Sequence, residues 1–120
     1  MMLKFIFLIN PISGGGQGKL IYKYLPEIME SMGFQEEEWR AEFTQSEDLV
    51  SQIDHALKST ETLIAVGGDG TVSAVFSVLL DSCVSTSVKI GVIPLGTGND
   101  LARVLNLYKP FVNKGLLFLV

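Results

Sequence analysis

Four short segments of the chain are rich in apolar residues and have the length of β-strands. Residues 4–9, 63–66 and 89–93 are almost continuously apolar, which is typical of strands buried on both faces of a parallel sheet. Residues 39–43 alternate between apolar and polar positions, which is typical of a strand near the edge of a sheet. The pattern therefore predicts three central strands and one outer strand.

The segments between these strands carry apolar residues at helical spacing. In the first helix, Pro26 predicts a kink or a restart, and Gly33 is placed to end the helix. In the second helix, Ser46 is placed to cap the N-terminus and Lys58 to close the C-terminus. A further short helix is predicted over 99–105. The predicted buried faces of the three longer helices are Leu20, Ile21, Tyr24, Leu25, Ile28 and Met32; Leu49, Val50, Ile53, Ala56 and Leu57; and Val72, Val75, Phe76, Leu79 and Leu80.

Strands and helices alternate along the chain, and this order predicts an α/β fold. The expected architecture is a Rossmann-like three-layer sandwich, in which right-handed crossovers place helices on both faces of a parallel sheet. No internal repeat or linker composition divides residues 1–120, so one domain is predicted. Residues 115–120 are apolar after their glycine and are expected to begin a further strand or helix. Such a segment is expected to pair with another chain, as in a homo-oligomer, or to lack order.

Three of the predicted strands end in glycine-rich turns that also carry hydroxyl groups. These turns span residues 10–19, 67–71 and 94–100. Because the carboxyl ends of parallel strands meet at one edge of a sheet, the three turns are predicted to lie together. Glycine permits positive φ and the close approach of a ligand, and the N-terminus of a following helix attracts an anion. The sequence therefore predicts a phosphate-binding edge.

Asp69 is unusual for such an edge, because a carboxylate repels phosphate. It follows Gly67 and Gly68 and precedes Gly70, at the predicted start of a helix. It suits a residue that holds a cation, a ribose hydroxyl or a basic side chain. It equally suits a plain helix cap. Both interpretations stay open on these residues alone.

The composition excludes several classes of protein and site. The net charge is −4 and no run of basic residues occurs, so nucleic-acid binding is not predicted. The one cysteine, Cys83, cannot form an intrachain disulfide and fits a reducing cytoplasm, while the one histidine, His55, lacks partners for a zinc site. No segment reaches the roughly 20 apolar residues of a membrane-spanning helix.

The common phosphate-binding and nucleophile motifs do not match. A Walker A loop would need a glycine where Ser13 stands and a hydroxyl where Leu20 stands. The dinucleotide pattern G-x-G-x-x-G fails because Lys19 and Leu101 occupy the third glycine position. The hydrolase pattern G-x-S-x-G does not occur. Any phosphate binding must therefore use a less general motif.

Three motifs, taken in order, resemble those of the diacylglycerol kinase catalytic domain family. They are Asn-Pro-x-Ser-Gly at 10–14, Gly-Gly-Asp-Gly-Thr at 67–71 and Gly-Thr-Gly-Asn-Asp at 96–100. The middle motif is shared with NAD kinases and phosphofructokinase-like relatives, whereas the outer two are more specific to lipid kinases. The resemblance covers the N-terminal half of the family's catalytic unit. It implies the nucleotide-binding N-terminal domain of the NAD kinase/diacylglycerol kinase-like fold.

The resemblance implies phosphoryl transfer from ATP to the hydroxyl of diacylglycerol or a related lipid, with this chain supplying the ATP and Mg²⁺ site. Asp69, Asp100 and Arg103 resemble the family's magnesium and water network, in which Asp69 would act on the metal directly or through water. The positions that resemble the family's nucleotide contacts are Asn10, Pro11, Ile12, Ser13, Gly14, Thr44, Gly67, Gly68, Asp69, Gly70, Thr71, Val72, Ser73 and Thr97.

The chain departs from the family pattern at several positions. Many members have Asn and Glu where Ser73 and Ala74 stand, and many bacterial members have a basic residue where Gly15 stands, which leaves Lys19 as the nearest cation. The general base and the lipid pocket are expected in a β-rich C-terminal domain outside these 120 residues. We therefore expect this chain to lack activity on its own.

Two other functions stay open. One is a sphingoid-base or NAD kinase of the same superfamily, because the acceptor is not contacted by the motifs described. The other is a nucleotide-binding module without catalysis, which Ala74 favours. A kinase that phosphorylates a membrane lipid is expected in the cytoplasm, bound peripherally to a membrane.

Overall fold

A computed structural model of the chain describes residues 2–81, 88–95 and 117–119. Five strands, three α-helices and one short 3₁₀ turn follow one another in these residues. Their bounds are β1 Leu3–Ile9, α1 Ser13–Ser31, the 3₁₀ turn Glu36–Glu38, β2 Trp39–Phe43, α2 Leu49–Leu57, β3 Thr60–Gly67, α3 Asp69–Asp81, β4 Lys89–Pro94 and β5 Leu117–Leu119.

The strands form one parallel sheet in the order β2-β1-β3-β4-β5. Ile9 pairs with Phe43 on one side and Val66 on the other, and Val66 pairs with Ile93, so the carboxyl ends of four strands lie level. The predicted α/β fold with a parallel sheet is confirmed. The alternating strand β2 has one sheet partner, β1, as its pattern predicted.

Two hydrophobic cores lie on opposite faces of this sheet. Alternate residues of β1, Ile6 and Leu8, pack with α2 and α3 on one face. The intervening residues, Phe7 and Ile9, pack with α1 on the other. This division follows from the two-residue period of a strand, which sends neighbouring side chains to opposite faces. The predicted three layers are therefore present.

Residues Leu117–Leu119 form a fifth strand beside β4, with Ile90 opposite Leu117. For these three residues the expected further strand is confirmed and the expected lack of order is wrong, while association with another chain, as in a homo-oligomer, stays a prediction. A strand at the edge of a sheet offers unpaired N–H and C=O groups, and β4 offers them within the same chain. The predicted loop over 82–87 and helix over 99–105 lie outside the described residues.

The start of α2 differs from the prediction. The helix begins at Leu49 with Asp48 before it, so Ser46 is not its cap. The Gln52 side chain holds the preceding segment as a turn: its Oε1 accepts from the Gln45 N–H at 3.0 Å, and its Nε2 donates to the Phe43 carbonyl at 2.9 Å. The contacts of a side chain within α2 therefore outweigh the local capping preference of Ser46. Lys58 follows the last helical residue, as predicted.

The termini of α1 follow the prediction, and of the two alternatives predicted at Pro26 the structure excludes the restart. Gly14, Gly15 and Gly16 have positive φ and form the predicted turn, after which helical dihedrals continue through Pro26. Pro26 therefore does not restart the helix. It lies on the exposed side, where water can reach the carbonyl that the ring deprives of a partner. Gly33, with φ of 88°, ends the helix as predicted.

The predicted buried faces are only partly right. Ile53, Ala56, Leu57, Val72, Val75 and Phe76 are buried, but Val78 and Met29, which were not predicted, are buried as well. Two apolar rows run along α1 at the same four-residue spacing, and periodicity alone does not say which row packs on the sheet. Predicted core residues that are exposed are Leu20, Tyr24, Ile28, Met32, Val50 and Leu80. Within the described residues no helix is long and apolar enough to cross a membrane.

Candidate functional site

The ends of β1 and β3 form the topological switch point of the sheet. The chain leaves β1 towards α1 on one face and leaves β3 towards α3 on the other, although the two strands are neighbours. A crevice opens where neighbouring connections diverge, and ligands of open α/β sheets bind there. We call residues 10–18 and 67–73, which follow these strands, the switch-point loops.

Asn10 joins the two switch-point loops. Its main-chain N–H donates to the Val66 carbonyl at 2.9 Å, and its side-chain Nδ2 donates to the Thr71 hydroxyl at 3.5 Å, the long end of a hydrogen bond. Its Oδ1 accepts from the Ile12 N–H at 3.1 Å, which closes a tight turn over Pro11. Asn10 therefore sets the relative position of the loops from which a ligand would be held.

Gly67 is required by the packing between the loops. A Cβ at this position would lie 2.6 Å from the Thr71 hydroxyl oxygen and 3.3 Å from the Asn10 Cβ. The Gly67 carbonyl also accepts from the Leu95 N–H at 2.9 Å, which joins the end of β4 to the same edge. This glycine is thus explained by contacts within the chain.

Gly70 differs from Gly67 in the space around it. It lies in the first turn of α3, its φ is not positive, and no atom would lie within 4 Å of an added Cβ. In the middle of a helix, glycine in place of alanine lowers the free energy of unfolding by roughly 0.5–1 kcal/mol, and in the first turn by at most that amount. Neither crowding nor backbone conformation within the described chain therefore accounts for Gly70, and its open surface is available to a ligand.

Asp69 occupies the first residue of α3, where the helix dipole favours a negative charge. Its Oδ1 is shielded from solvent, while the residue as a whole is half-buried. The described residues contain no group of three or more His, Cys, Asp or Glu side chains arranged to hold a metal. Asp69 would offer a cation one carboxylate, and further ligands would have to come from the nucleotide, from water or from residues outside the described part of the chain.

The other residues of α3 that were predicted to contact the nucleotide differ in their burial. Thr71 is buried and its hydroxyl contacts Asn10, and Val72 is fully buried in the core with α2. Only the main chain of Val72 is therefore placed to meet a ligand. Ser73 is exposed.

Thr44 reaches the same edge from β2. Its N–H donates to the carbonyl of Ile9 at 2.9 Å, which places it beside the switch-point loops. Thr97, Asp100 and Arg103 lie outside the described residues. Their predicted roles stay predictions.

Gly18 is a residue of the site that the sequence reasoning missed. It is buried, and a Cβ there would lie 2.1 Å from the Asn10 carbonyl oxygen. Because Gly18 has no Cβ, the first full turn of α1 can pack directly on the loop after β1. The only signal in the sequence was that the glycine run extends past Gly16 to Gly18.

Comparison with known proteins places these motifs in a family. The profile of the family described as "Diacylglycerol kinase catalytic domain" matches residues 4–117. Human diacylglycerol kinase iota is 33% identical over 108 residues, which are 88% of this chain and 10% of that protein. The diacylglycerol kinase of Staphylococcus carnosus is 36% identical over 104 residues, which are 83% of this chain and 32% of that protein.

A solved structure shares the fold. The crystal structure of a putative diacylglycerol kinase from Bacillus anthracis superposes with a TM-score of 0.65 at 25% identity, covering 86% of this chain and 34% of that one. The chain thus spans 10% of the human relative's length and 32% of the staphylococcal relative's length.

Proposed function

Because the chain belongs to the diacylglycerol kinase catalytic domain family, we propose that its switch-point loops bind the ATP and Mg²⁺ of a lipid kinase. The reaction would transfer the terminal phosphoryl group of ATP to the hydroxyl of diacylglycerol or a related lipid. The whole enzyme would work in the cytoplasm at the membrane surface where that lipid resides. The general base and the lipid site would lie in the additional length that the relatives possess.

Gly70 is the observation that carries this proposal. It weakens the first turn of α3, yet it relieves no clash and adopts no left-handed conformation. A ligand that approaches the main chain closely would account for its lack of a side chain. The exposed N–H groups of a helix N-terminus favour a phosphate in that position.

The residues present fit a magnesium nucleotide better than a free metal ion. Mg²⁺ in kinases takes one or two carboxylates and completes its octahedron with phosphate oxygens and water. Asp69 would supply one such carboxylate at the carboxyl edge of the sheet. Bound there, the ion would neutralise charge on the transferred phosphoryl group. Asp69 would hold the ion directly or through water, and Asp100 and Arg103 would complete the network.

The main chain would hold the phosphates, and side chains would orient the nucleotide. We assign the phosphate cradle to residues 10–14 and 67–73, with Thr44 and Thr97 as hydroxyl donors. Asn10 would act chiefly by fixing the two loops, since its amide already bridges them. Phosphoryl transfer depends mostly on such positioning.

A second candidate is a nucleotide-binding module without catalysis. Ala74 stands where many relatives have a glutamate, and it packs partly buried against the core shared with α2. The methyl side chain of Ala74 cannot carry out the function of that carboxylate. A sphingoid-base or NAD kinase remains the alternative within the superfamily.

Calorimetric titration of ATP into this chain, with and without Mg²⁺, tests the proposal. Gly70→Leu should weaken binding at least about tenfold under both conditions, because a side chain would fill the open surface. Asp69→Asn should weaken binding mainly when Mg²⁺ is present. Two controls on the same helix lie at exposed positions away from the site: Ser77→Leu introduces the same side chain, and Asp81→Asn removes the same charge.

Equal affinities in all six titrations, of wild type, Gly70→Leu and Asp69→Asn with and without Mg²⁺, would overturn the proposed site. In that event Asp69 would be a helix cap only. Loss of binding in the controls as well would show that the mutations act through the stability of α3. Melting temperatures of all variants separate this outcome from a defect in the site.

A further inference from the structure

Helix α1 carries a second apolar row besides the one that packs on the sheet. Leu25 and Met29 are 3% exposed, whereas Leu20, Tyr24, Ile28 and Met32 are 54%, 48%, 45% and 63% exposed. Residues four apart stack above one another on a helix, so these four side chains form a continuous row. We call them the α1 apolar stripe.

The α1 apolar stripe borders an apolar groove. A cavity of about 460 Å³ lies between α1 and the sheet, and its lining is entirely apolar. Ile28 and Met32 belong to both the stripe and the groove, and Phe34, Ile64 and Ile93 lie on its other side. The two features form one surface, and a continuous exposed apolar surface of this kind marks a site of interaction.

The charges beside the stripe are divided along the helix. Lys19 and Lys23 lie in its first half, and Glu27 and Glu30 lie in its second half; all four are exposed. The Lys23 ammonium lies 5.6 Å from the centre of the Tyr24 ring, so it runs along the stripe. An antiparallel copy of the same helix would set each basic half opposite an acidic half, while a parallel copy would oppose like charges.

We propose that this surface binds the same surface of a second copy of the chain, with the two α1 helices antiparallel across a twofold axis. Such an interface is self-complementary, because each residue meets the same set of residues on the partner. With the axis between residues 24 and 25, Leu20 of one copy lies within one residue of the level of Ile28 of the other, and Lys23 within one residue of the level of Glu27. The proposal does not depend on nucleotide binding, since residues 67–73 take no part.

A membrane surface fits the same helix less well. Helices that lie in a membrane interface flank their apolar residues with Lys and Arg, which anionic lipids attract. Here Glu27 and Glu30 flank the stripe together with the two lysines, and anionic lipids would repel them. The division of charge along the helix favours a protein partner with the same division, and an antiparallel second copy has it.

Sedimentation equilibrium of the full 120-residue chain over a wide concentration range tests the proposal. Wild type should show a monomer–dimer equilibrium. Leu20→Glu should raise the dissociation constant at least about tenfold, because it would bury a charge at the interface. Leu80→Glu makes the same change on α3 at a residue 69% exposed, and it should leave the constant unchanged.

Charge exchange tests the antiparallel arrangement. Lys23→Glu and Glu27→Lys should each raise the dissociation constant about tenfold, since twofold symmetry disrupts two pairs at once. The double variant should restore it, because both cross-interface pairs are re-formed with reversed sign. These exposed residues keep the test valid even if Leu20→Glu fails to fold.

Three results would overturn the proposal. They are a monomeric wild type at every concentration, equal effects of Leu20→Glu and Leu80→Glu, and no recovery in the double charge variant. Cosedimentation with vesicles of phosphatidylcholine and phosphatidylserine is run in parallel. Binding to vesicles that Leu20→Glu abolishes, without self-association of the wild type, would assign the stripe to a membrane instead.

Discussion

The two edges of the sheet are built on different principles. At the amino edge, polar groups are paired. Lys4 forms a 2.7 Å ion pair with Glu38, and its ammonium lies 5.8 Å from the centre of the Phe34 ring. The buried Thr60 hydroxyl lies 3.1 Å from the Leu3 carbonyl oxygen. At the carboxyl edge, glycines and main-chain contacts predominate, and Asp69 has a shielded carboxylate oxygen.

The difference separates residues that hold the fold from residues that leave room for a ligand. The amino edge satisfies its polar groups locally, so changes there should affect stability alone. The carboxyl edge contains glycines of two kinds. Gly18 and Gly67 are required by neighbouring atoms, whereas Gly70 has open space around it.

The largest effect on stability is expected at Gly18. Alanine would place its Cβ 2.1 Å from the Asn10 carbonyl oxygen, a main-chain atom that cannot move without shifting the loop after β1. Gly18→Ala should lower the free energy of unfolding by about 3 kcal/mol or more. Denaturant unfolding measures this. A loss below about 1 kcal/mol would show that α1 can move away and that the crowding is not rigid.

A smaller loss is expected at the amino edge. Thr60 is fully buried, and Thr60→Val keeps its shape while removing the hydroxyl that contacts the Leu3 and Thr62 main chains. The free energy of unfolding should fall by about 1–3 kcal/mol, because buried polar groups lose a partner. ATP affinity should not change. If Thr60→Val also bound ATP more weakly, the amino edge would not be limited to a structural role.

Gly70→Ala should change stability in the opposite direction. Alanine should raise the free energy of unfolding by at most roughly 0.5–1 kcal/mol, because it favours the helix and meets no neighbour. The same variant should bind ATP more weakly than wild type. Thermal unfolding measures the stability of the variant, and calorimetric titration of the same preparation measures its ATP affinity. A variant that is less stable would mean that Gly70 has a structural role.

The smallest effect is a pH dependence at the amino edge. The Gln35 N–H and the Lys4 ammonium lower the pKa of Glu38, and the Glu38 carboxylate in turn raises the pKa of Lys4. A lowered carboxyl pKa adds stability above the unfolded value, and that stability is lost as pH falls through the folded value. Lys4 adds stability that is lost only as pH rises through its raised pKa.

Glu38→Gln should therefore melt slightly below wild type at neutral pH, and the difference should vanish in acid. The Lys4 side chain is 54% exposed and the Glu38 side chain 25% exposed, so solvent screens the pair; the difference is small and should shrink further in high salt. Melting curves of the two proteins across the acid range provide the measurement. A difference that persists in strong acid would show that Glu38 acts through packing rather than charge.

Local chemistry made most of the elements predictable. The apolar runs of β1, β3 and β4, the left-handed turn at 14–16 and the end of α1 at Gly33 each depend on the conformational preferences of a few consecutive residues. The alternation of strands and helices then restricted the fold to a parallel sheet with its glycine turns at one edge. The positions of Asn10, Asp69 and Thr71 at that edge followed from the same rule.

Contacts that the pattern of residue types does not encode decided the remainder. The insertion of β1 between β2 and β3, which creates the switch point, depends on which strands pair. The choice between two equally spaced apolar rows on α1 depends on what the sheet presents to the helix. Gln52 overrode Ser46 at the start of α2, and the distinct reasons for Gly67 and Gly70 appear only when their neighbours in space are known.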